Sequence, residues 1–585
     1  MKTRVFIVYI FILCLSIILT VKLYQIQIID GPHYRELAEG NRIRILPVSA
    51  PRGEILDRKG KVLAKNRASF AVYVIPFEGN REESLKILSG IIGIPYAEIK
   101  GKLDKASNSL QPVNILPDAS IEIVGKIKEL EDKLPGVLVV TDVIRDYPYK
   151  NIASHILGYI GEVSSEEMKI FQEDGVRMGD TIGKAGIERG YQVALMGVRG
   201  GEQVEVDAMG RPIKVLGTVP PIPGSTLVTT IDLDLQRIAT ESLKRRGLPG
   251  AIVAIDPQNG DILAMVSSPD YDPNSFAKGI SAKEWERLLS PERPLLNRAI
   301  SAVYPPGSTF KVAVALAALA EDIVNEDSVF YCPGSMVIGN RRFKCWTSHG
   351  RIDFLDAIAD SCDVSFYTMG IKVGAEKIAR YARLLGLGDL TGVDIPGETR
   401  GLIPEPSWKK EPWYIGDTAN MSIGQGYVQV TPIQMAVLAS TVANGGKVYK
   451  PRVVSEIVNQ DGTKTSQPAV LVRDLSKFKK EIAIIKKGMK MVVDTGTGTS
   501  ARVNGISVAG KTGTAENFPT KSNPQGKDHA WFIAYAPTDN PKIALSIVVE
   551  QGGHGGSTSA PIAAEIISYY LTGKSIIKGG EWKGD

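Results

Sequence analysis

Positive and negative residues nearly cancel in this chain: the formal charge is +5 over 585 residues, and no long basic run interrupts it. A nucleic-acid partner, which calls for clustered positive charge, is therefore not indicated, and partners have to be argued from motifs. Internal repeats and long low-complexity segments are missing as well. Cysteine is scarce. Cys14 sits in an apolar N-terminal run, which leaves Cys332, Cys345 and Cys362 for any disulfide or metal chemistry. At 43% hydrophobic and 23% charged, the composition is that of an ordinary globular protein long enough for two or more domains.

The run "VFIVYIFILCLSIILTV", Val5 to Val21, is close to the length a helix needs to cross a bilayer. No small-x-small cleavage site follows it, and "KLYQIQIIDGPHYREL" reads as the same helix carried onward, so an anchor is expected rather than a cleaved leader. Lys2 and Arg4 favour a cytoplasmic N-terminus with the bulk of the chain exported, an asymmetry that Lys22 weakens.

The stretch "GISVAGKTGTAEN", Gly505 to Asn517, offers two readings of one lysine. From Gly505 it spells the G-x-x-x-x-G-K-T of a phosphate-binding loop, and from Lys511 it spells K-T-G. A phosphate loop needs a flexible turn between its glycines and a helix opening at its Lys-Thr. Here Ile506, Ser507, Val508 and Ala509 alternate as a strand does, and "TGTAENFPTKSNPQG" is too rich in Gly and Pro to open a helix. ATP is also not available outside the membrane, so K-T-G is the reading retained.

K-T-G calls for an S-x-x-K and a middle S-x-N-like triplet upstream. S-x-x-K occurs at Ser308, Ser407 and Ser476. "SWKKEPW" runs into Pro and Trp, and "SKFKKEIAIIKKGMK" puts its lysines on a solvated amphipathic face, so both read as structural. In "YPPGSTFKVAVALAALAED", Ser308 follows Pro-Pro-Gly and opens an Ala-rich apolar helix. Residues three apart share a helical face, so Ser308 and Lys311 can meet. The helix N-terminus favours negative charge on a nucleophilic oxygen, and burial would leave Lys311 a neutral amine able to take the serine proton. The middle triplet is Ser361-Cys362-Asp363 in "DAIADSCDVSFYTMG", which returns a second serine to the same cleft.

This ordered set resembles the class B penicillin-binding proteins, which are D,D-transpeptidases, and the resemblance covers nearly the whole chain. It is carried upstream by "PRGEILDRKGKVLAKN", "ASHILGYIGEV" and "GKAGIERGYQVALMGVRGGE", and downstream by "NRAISAVYPPGSTFK", "MSIGQGYVQVTPIQMA" and "AGKTGTAE". "CPGSMVIGNRRFKCWTSHGRIDF" is most similar to the elongation-type branch, penicillin-binding protein 2. No segment resembles the glycosyltransferase domain of class A enzymes. The chain stops soon after "STSAPIAAEIISYYLTG", which disfavours forms with added C-terminal repeats.

The resemblance implies a mixed α/β (α+β) fold in four parts: an anchor over 1–22, a pedestal over 23–225, a catalytic domain over 226–575, and a tail over 576–585. The pedestal is expected to be mostly β, with a small helical head from "REESLKILSGIIGIPYAEIKGKLDKA" and "ASIEIVGKIKELEDKLPG". Pro220 to Gly224 mark its boundary. The catalytic domain is expected to carry an antiparallel sheet between helices, with K-T-G on an edge strand beside the Ser308 helix.

The roles implied are these. Ser308 is the nucleophile toward the carbonyl between the terminal D-alanines of a stem peptide, and Lys311 accepts its proton. Ser361 relays a proton to the leaving amine. Lys511, Thr512, Gly513 and Thr514 hold the substrate carboxylate, and the backbone N–H groups of Ser308 and Thr514 form the oxyanion hole. Partners are stem peptides, β-lactams and a polytopic membrane protein that polymerises glycan strands; no metal or cofactor is required for the reaction. Asp363 departs from the family, since many relatives carry Asn there, and a carboxylate near Lys311 favours the charged amine.

The division-type enzyme is the rival within the family. A β-lactam sensor would need cytoplasmic machinery where only a stub precedes the anchor, and a β-lactamase needs no pedestal. Cys332 and Cys345 are spaced to pair as a disulfide in an oxidising exterior. Alternatively Cys332, Cys345 and His349, with Asp360 or Cys362 as a fourth ligand, suit a structural zinc, and two buried free thiols are the third reading.

Overall fold

The computed structural model describes residues 2–34, 43–48, 50–75, 82–105, 112–177, 180–206, 212–517, 523 and 525–574, and the expected tail over 576–585 lies outside them. Lys2–Tyr24 is one α-helix that passes into a π-helical turn at Gln25–Ile29. The helical path therefore does continue past Lys22, and Phe6–Ile29 is long and apolar enough to cross a membrane. Its large apolar side chains, Phe6, Phe11 and Leu19 among them, are exposed.

The chain divides into two compact units. The first, Met1–Arg52 with Met196–Gly224, holds a three-stranded antiparallel sheet with Gly200–Val206 between Ile43–Val48 and Pro212–Val219. The second comprises Gly53–Leu195 and Ser225–Asp585.

In the second unit the long strand Val62–Val74 pairs with Val113–Ala119 and Val137–Asp146. The helices Glu82–Ile92, Tyr96–Lys105 and Ile121–Glu129 bury Leu85, Leu88, Ile99, Leu103 and Ile127 against Val72, Val74 and Ile115, which makes the helical head. Two of the upstream motifs meet at a buried ion pair. The Arg145 guanidinium donates from Nε to Glu188 Oε1 at 2.8 Å and from a terminal nitrogen to the Gly53 carbonyl at 2.7 Å, while the Tyr147 hydroxyl donates to the same Glu188 oxygen at 3.1 Å. A buried pair of this kind is costly to break from one side, by about 3–5 kcal/mol, so "RGEILDR" and "GIER" are tied through a residue neither contains.

A five-stranded antiparallel sheet organises the rest. Its strands are β1 (Gly250–Ile255), β2 (Ile262–Ser268), β3 (Ala509–Ala515), β4 (His529–Ala536) and β5 (Ile543–Val549), in the spatial order β2-β1-β5-β4-β3. Alternation of side chains along β1 explains the layers. Ile252 and Ala254 pack with Leu235, Leu243, Ile562 and Ile566 of the helices Leu233–Lys244 and Gly555–Thr572. Ala251 and Val253 belong instead to the cluster of Val312, Leu316, Ile433 and Ala436 from Lys311–Ala320 and Pro432–Ala443. The latter helix opens on a capping box, Thr431 with Gln434, and Pro432.

His155, in "ASHILGYIGEV", is buried, with Nε2 2.8 Å from the Pro294 carbonyl and its ring edge-on to Tyr271. Burial pushes it down to about 4. The unfolded chain accepts the proton near pH 6.5 and the folded one does not until about 4, so this residue's stabilisation is complete above pH 6.5 and is lost as pH falls toward 4. That window is worth about 3 kcal/mol. In urea unfolding between pH 7.5 and 4.5, His155→Gln is expected to lose less stability than the unsubstituted chain; parallel losses would assign the acid sensitivity to other groups.

Candidate active site

The site begins with a helix apolar on every side but one. All residues from Lys311 to Leu319 are buried, so the amine of Lys311 has no route to solvent and must find its partners inside the protein. It donates to the Ser361 carbonyl at 2.8 Å, to Ser361 Oγ at 3.2 Å and to Asp363 Oδ1 at 2.6 Å. The Phe366 ring lies beneath it, 5.1 Å away. An ammonium has three N–H groups, and these partners use all three.

Ser308 sits in a 3-10 turn, Gly307–Phe310, and the α-helix begins only at Lys311. Its hydroxyl makes no hydrogen bond to another described residue, so the direct Ser308–Lys311 contact expected from their spacing is not formed in this state. The turn is pressed against β3. Gly307 has φ +55°, and a Cβ there would stand 2.4 Å from the Thr514 carbonyl oxygen, so no other residue permits this approach. Across the gap, a Cβ on Gly513 would meet the Pro306 oxygen at 2.9 Å.

β3 is the edge strand of its sheet, with Lys511 opposite Ile533 and Thr514 opposite Ala530 on β4. The strand starts at Ala509 rather than Ile506, because Ile506 closes an isolated bridge with Val503 first. Lys511 is fully buried; its amine donates to Ser361 Oγ at 2.9 Å and to the Thr512 carbonyl at 3.1 Å. Burial, reinforced by the neighbouring Lys311, holds it well below the ordinary lysine value. The Thr512 hydroxyl is paired with that of Thr497 at 2.7 Å.

Ser361 is where these elements converge. It is buried and has φ +55°, a left-handed conformation that a serine adopts at a cost of about 1–3 kcal/mol. The preceding turn is closed by Ser361 N–H to Ile358 O and Cys362 N–H to Ala357 O. Ser308, Lys311, Ser361, Asp363, Lys511, Thr512, Gly513 and Thr514 thus fall in one locality, with both lysines on one hydroxyl.

Behind the turn, Cys332, Cys345, His349 and Cys362 present ligand atoms that all lie within 4.8 Å of one another. Cys332 and Cys345 are free thiols, so the disulfide reading is replaced by this cluster. The fourth member is Cys362 and not Asp360, whose carbonyl instead accepts from Trp346 Nε1 at 2.9 Å. The Cys345 sulfur accepts the Asp363 backbone N–H at 3.2 Å, and the hydrogen bond with Cys362 is the largest influence holding its thiol below the ordinary value. His349 Nδ1 faces the Cys345 sulfur at 3.7 Å, while the buried Nε2 has no hydrogen-bond partner among the described residues. Two short hairpins, Val329–Cys332 with Gly350–Asp353 and Ser335–Ile338 with Arg341–Lys344, carry three of the four residues to the start of the Asp363–Val373 helix.

Several neighbours went unseen in the sequence. Gln425 Nε2 donates to the Thr514 carbonyl at 3.1 Å, and the Gly307 N–H donates to the Gly424 carbonyl at 3.0 Å. Trp531 Nε1 donates to the Pro305 carbonyl at 3.0 Å, and Tyr304 and Arg298 share Glu550 at 2.8 Å each. The available signals were the segments "NRAISAVYPPGSTFK" and "SIGQGYVQVTP" as blocks, which do not say which side chains turn toward the cleft.

Residues 250–568 match the profile of the penicillin binding protein transpeptidase domain, and 47–229 that of the penicillin-binding protein dimerisation domain. The peptidoglycan D,D-transpeptidase MrdA of Haemophilus influenzae is 36% identical, over 97% of this chain and 91% of that protein. Among solved structures, the penicillin-binding protein PBP2 of Helicobacter pylori, in complex with MreC, is similar with a TM-score of 0.78 and 29% identity over 91% of this chain and all of that one. A chain from a structure entitled "Structural coordination of polymerization and crosslinking by a peptidoglycan synthase complex" superposes with a TM-score of 0.71 at 30% identity, over 98% of this chain and 100% of that one. On these matches and the site geometry, the chain belongs to the penicillin-binding protein transpeptidase family.

Proposed function

We propose that this protein is an elongation-type peptidoglycan D,D-transpeptidase that cross-links stem peptides through a serine ester on Ser308. The observation that carries the reading is the convergence of two buried lysines on Ser361 Oγ beside the Ser308 turn. Ser308 Oγ attacks the carbonyl carbon between the terminal D-alanines, and Lys311 Nζ takes its proton. To do so Lys311 must be a neutral amine, and one of its three present hydrogen bonds has to be surrendered to Ser308.

Oxygen charge that develops on the carbonyl is met by the Ser308 and Thr514 backbone N–H groups. The C–N bond breaks and D-Ala leaves, its amine protonated through Ser361 Oγ. That hydroxyl already touches both lysines, so a proton lodged on either can be passed along it. An amine of a second stem peptide then attacks the ester, the C–O bond breaks, and Ser308 recovers its proton. Lys511, Thr512, Gly513 and Thr514 on the edge strand receive the substrate carboxylate. β-Lactams enter as mimics of the same acyl donor.

The long apolar N-terminal helix supports a single membrane anchor, with the charges of its first residues favouring a cytoplasmic N-terminus and an extracytoplasmic catalytic domain. The similar chain from a peptidoglycan synthase complex that coordinates polymerisation and crosslinking supports a glycan-polymerising partner, which we take to be a polytopic membrane protein, and the relative bound to MreC supports work within an assembly. Cys332, Cys345, His349 and Cys362 fit a structural zinc: three thiols and an imidazole are a donor set that such an ion takes, their ligand atoms lie within 4.8 Å of one another with His349 Nδ1 facing the Cys345 sulfur, and that sulfur already accepts a backbone N–H. Such an ion would fasten the hairpins to the Ser361 turn and take no part in acyl transfer.

Labelled penicillin is expected to modify the peptide containing Ser308 and to leave Ser308→Ala unlabelled; label retained in the variant would overturn the nucleophile. Asp363→Asn keeps an acceptor for Lys311 but removes the charge that also steadies a proton on Lys511. The rising limb of acylation rate against pH is expected to move down by about one unit in that variant. An unmoved limb would mean that Asp363 does not govern the lysine pair. Metal analysis of the purified chain should find about one zinc per molecule, lost in Cys345→Ser together with several degrees of thermal stability; a metal-free chain whose Tm ignores a chelator would dismiss the ion.

A further inference from the structure

The lip of the cleft carries a group of aromatic side chains that acyl transfer leaves unused. Trp408, Tyr414 and Tyr427 are 48%, 63% and 42% exposed. Large rings left in water at this density mark a surface that meets something. They are nonetheless locked in place. Trp408 and Tyr427 lie 5.4 Å apart between ring centroids, tilted by 56°. The Lys409 ammonium is wedged 5.4 Å from the Tyr414 ring and 5.5 Å from the Tyr427 ring, and it bonds to Asp417 at 2.8 Å. Asp417 in turn accepts the Tyr414 N–H at 2.9 Å.

The lysine side chain is only 10% exposed. Its charge is taken up by one carboxylate and two π faces, so Lys409 braces the rings and is not itself free for a ligand.

Its position is set by the nucleophile turn itself. Gly424 accepts the Gly307 N–H, Gln425 donates to Thr514 on the edge strand, and Tyr427 follows two residues later. Consecutive Cα atoms are about 3.8 Å apart, which puts the Tyr427 Cα within about 8 Å of that of Gln425. On the far side Val428 and Val430 are fully buried and Gln429 bridges to Leu402, so the tyrosine cannot swing away. Rigid, uncharged aromatic faces at the rim of a cleft suit a ligand with flat C–H faces bordered by polar edges, and this is the form of a pyranose ring. The stem peptide's terminal carboxylate is directed instead to the Lys511 strand.

We propose that Trp408, Tyr414 and Tyr427 form a stacking platform for the amino-sugar rings of the glycan strand that carries a stem peptide into the cleft. This inference rests on the transpeptidase reading above. It separates two classes of substrate: glycan-borne peptides, which use the platform, and free peptides or penicillin, which do not.

The test uses the full-length chain in detergent with Trp408→Ala and Tyr427→Ala combined. Penicillin acylation and turnover of a glycan-free pentapeptide ester are expected to stay within twofold of the unsubstituted chain, while cross-linking of polymeric, glycan-borne pentapeptide falls about tenfold or more. Equal losses on both substrates would overturn the proposal in favour of a peptide-binding or structural role. No loss on either would overturn it in favour of a membrane or protein contact at the rings. Should the alanines abolish penicillin acylation, Trp408→Leu with Tyr427→Leu keeps the bulk without the π faces and is read by the same criteria. An unsubstituted chain that neither acylates nor cross-links would remove the transpeptidase reading, and this inference with it.

Discussion

Two lysines out of reach of solvent share a single serine hydroxyl, and most of the catalytic unit is arranged so that this can persist. An unpaired buried ammonium costs several kcal/mol, so each amine must be given acceptors. Lys311 finds a carbonyl, a hydroxyl and a carboxylate; Lys511 finds the same hydroxyl and a carbonyl. Burial of Lys511 beside another lysine also keeps its proton loosely held. A site that must move protons repeatedly is well served by one lysine in an ion pair and one that resists charge.

Holding Ser361 between them requires backbone that a serine does not adopt willingly. Its positive φ is stabilised by the turn hydrogen bonds on one side and by the Cys345 sulfur on the Asp363 N–H on the other. The cysteine and histidine cluster thus bears on the chemistry through the backbone, without touching substrate. On the opposite wall, Gly307 and Gly513 remove the two side-chain positions that would hold the Ser308 turn away from the edge strand. Gln425 and Trp531 then fasten that approach from either end.

Motifs far from the cleft follow a similar logic. Arg145 is absent from every segment that carries the family resemblance, yet it joins Gly53 of one to Glu188 of another inside the protein. Tyr147 adds a second donor to the same carboxylate. The Glu188 carboxylate of the second segment is accounted for by this junction.

The sequence alone determined the long apolar N-terminal helix, the order of the three motifs and the rejection of the phosphate loop, because each depends on local pattern. An apolar run, an Ala-rich helix opening on S-x-x-K and an alternation leading into K-T-G are all read within a few residues. Tertiary structure decided what sequence spacing cannot encode. It turned Lys311 toward Ser361 and Asp363 in place of Ser308, since those groups arrive from a helix and turn remote in sequence. It chose Cys362 over Asp360 as the fourth member of the cluster, because the left-handed turn at Ser361 sends neighbouring side chains in different directions. It also brought Tyr427 and Trp408 together, with Gly424 bonded to Gly307 of the Ser308 turn and Lys409 against the rings of Tyr414 and Tyr427. Contacts of this kind depend on where chain segments cross, and their residues carry no local pattern that announces it.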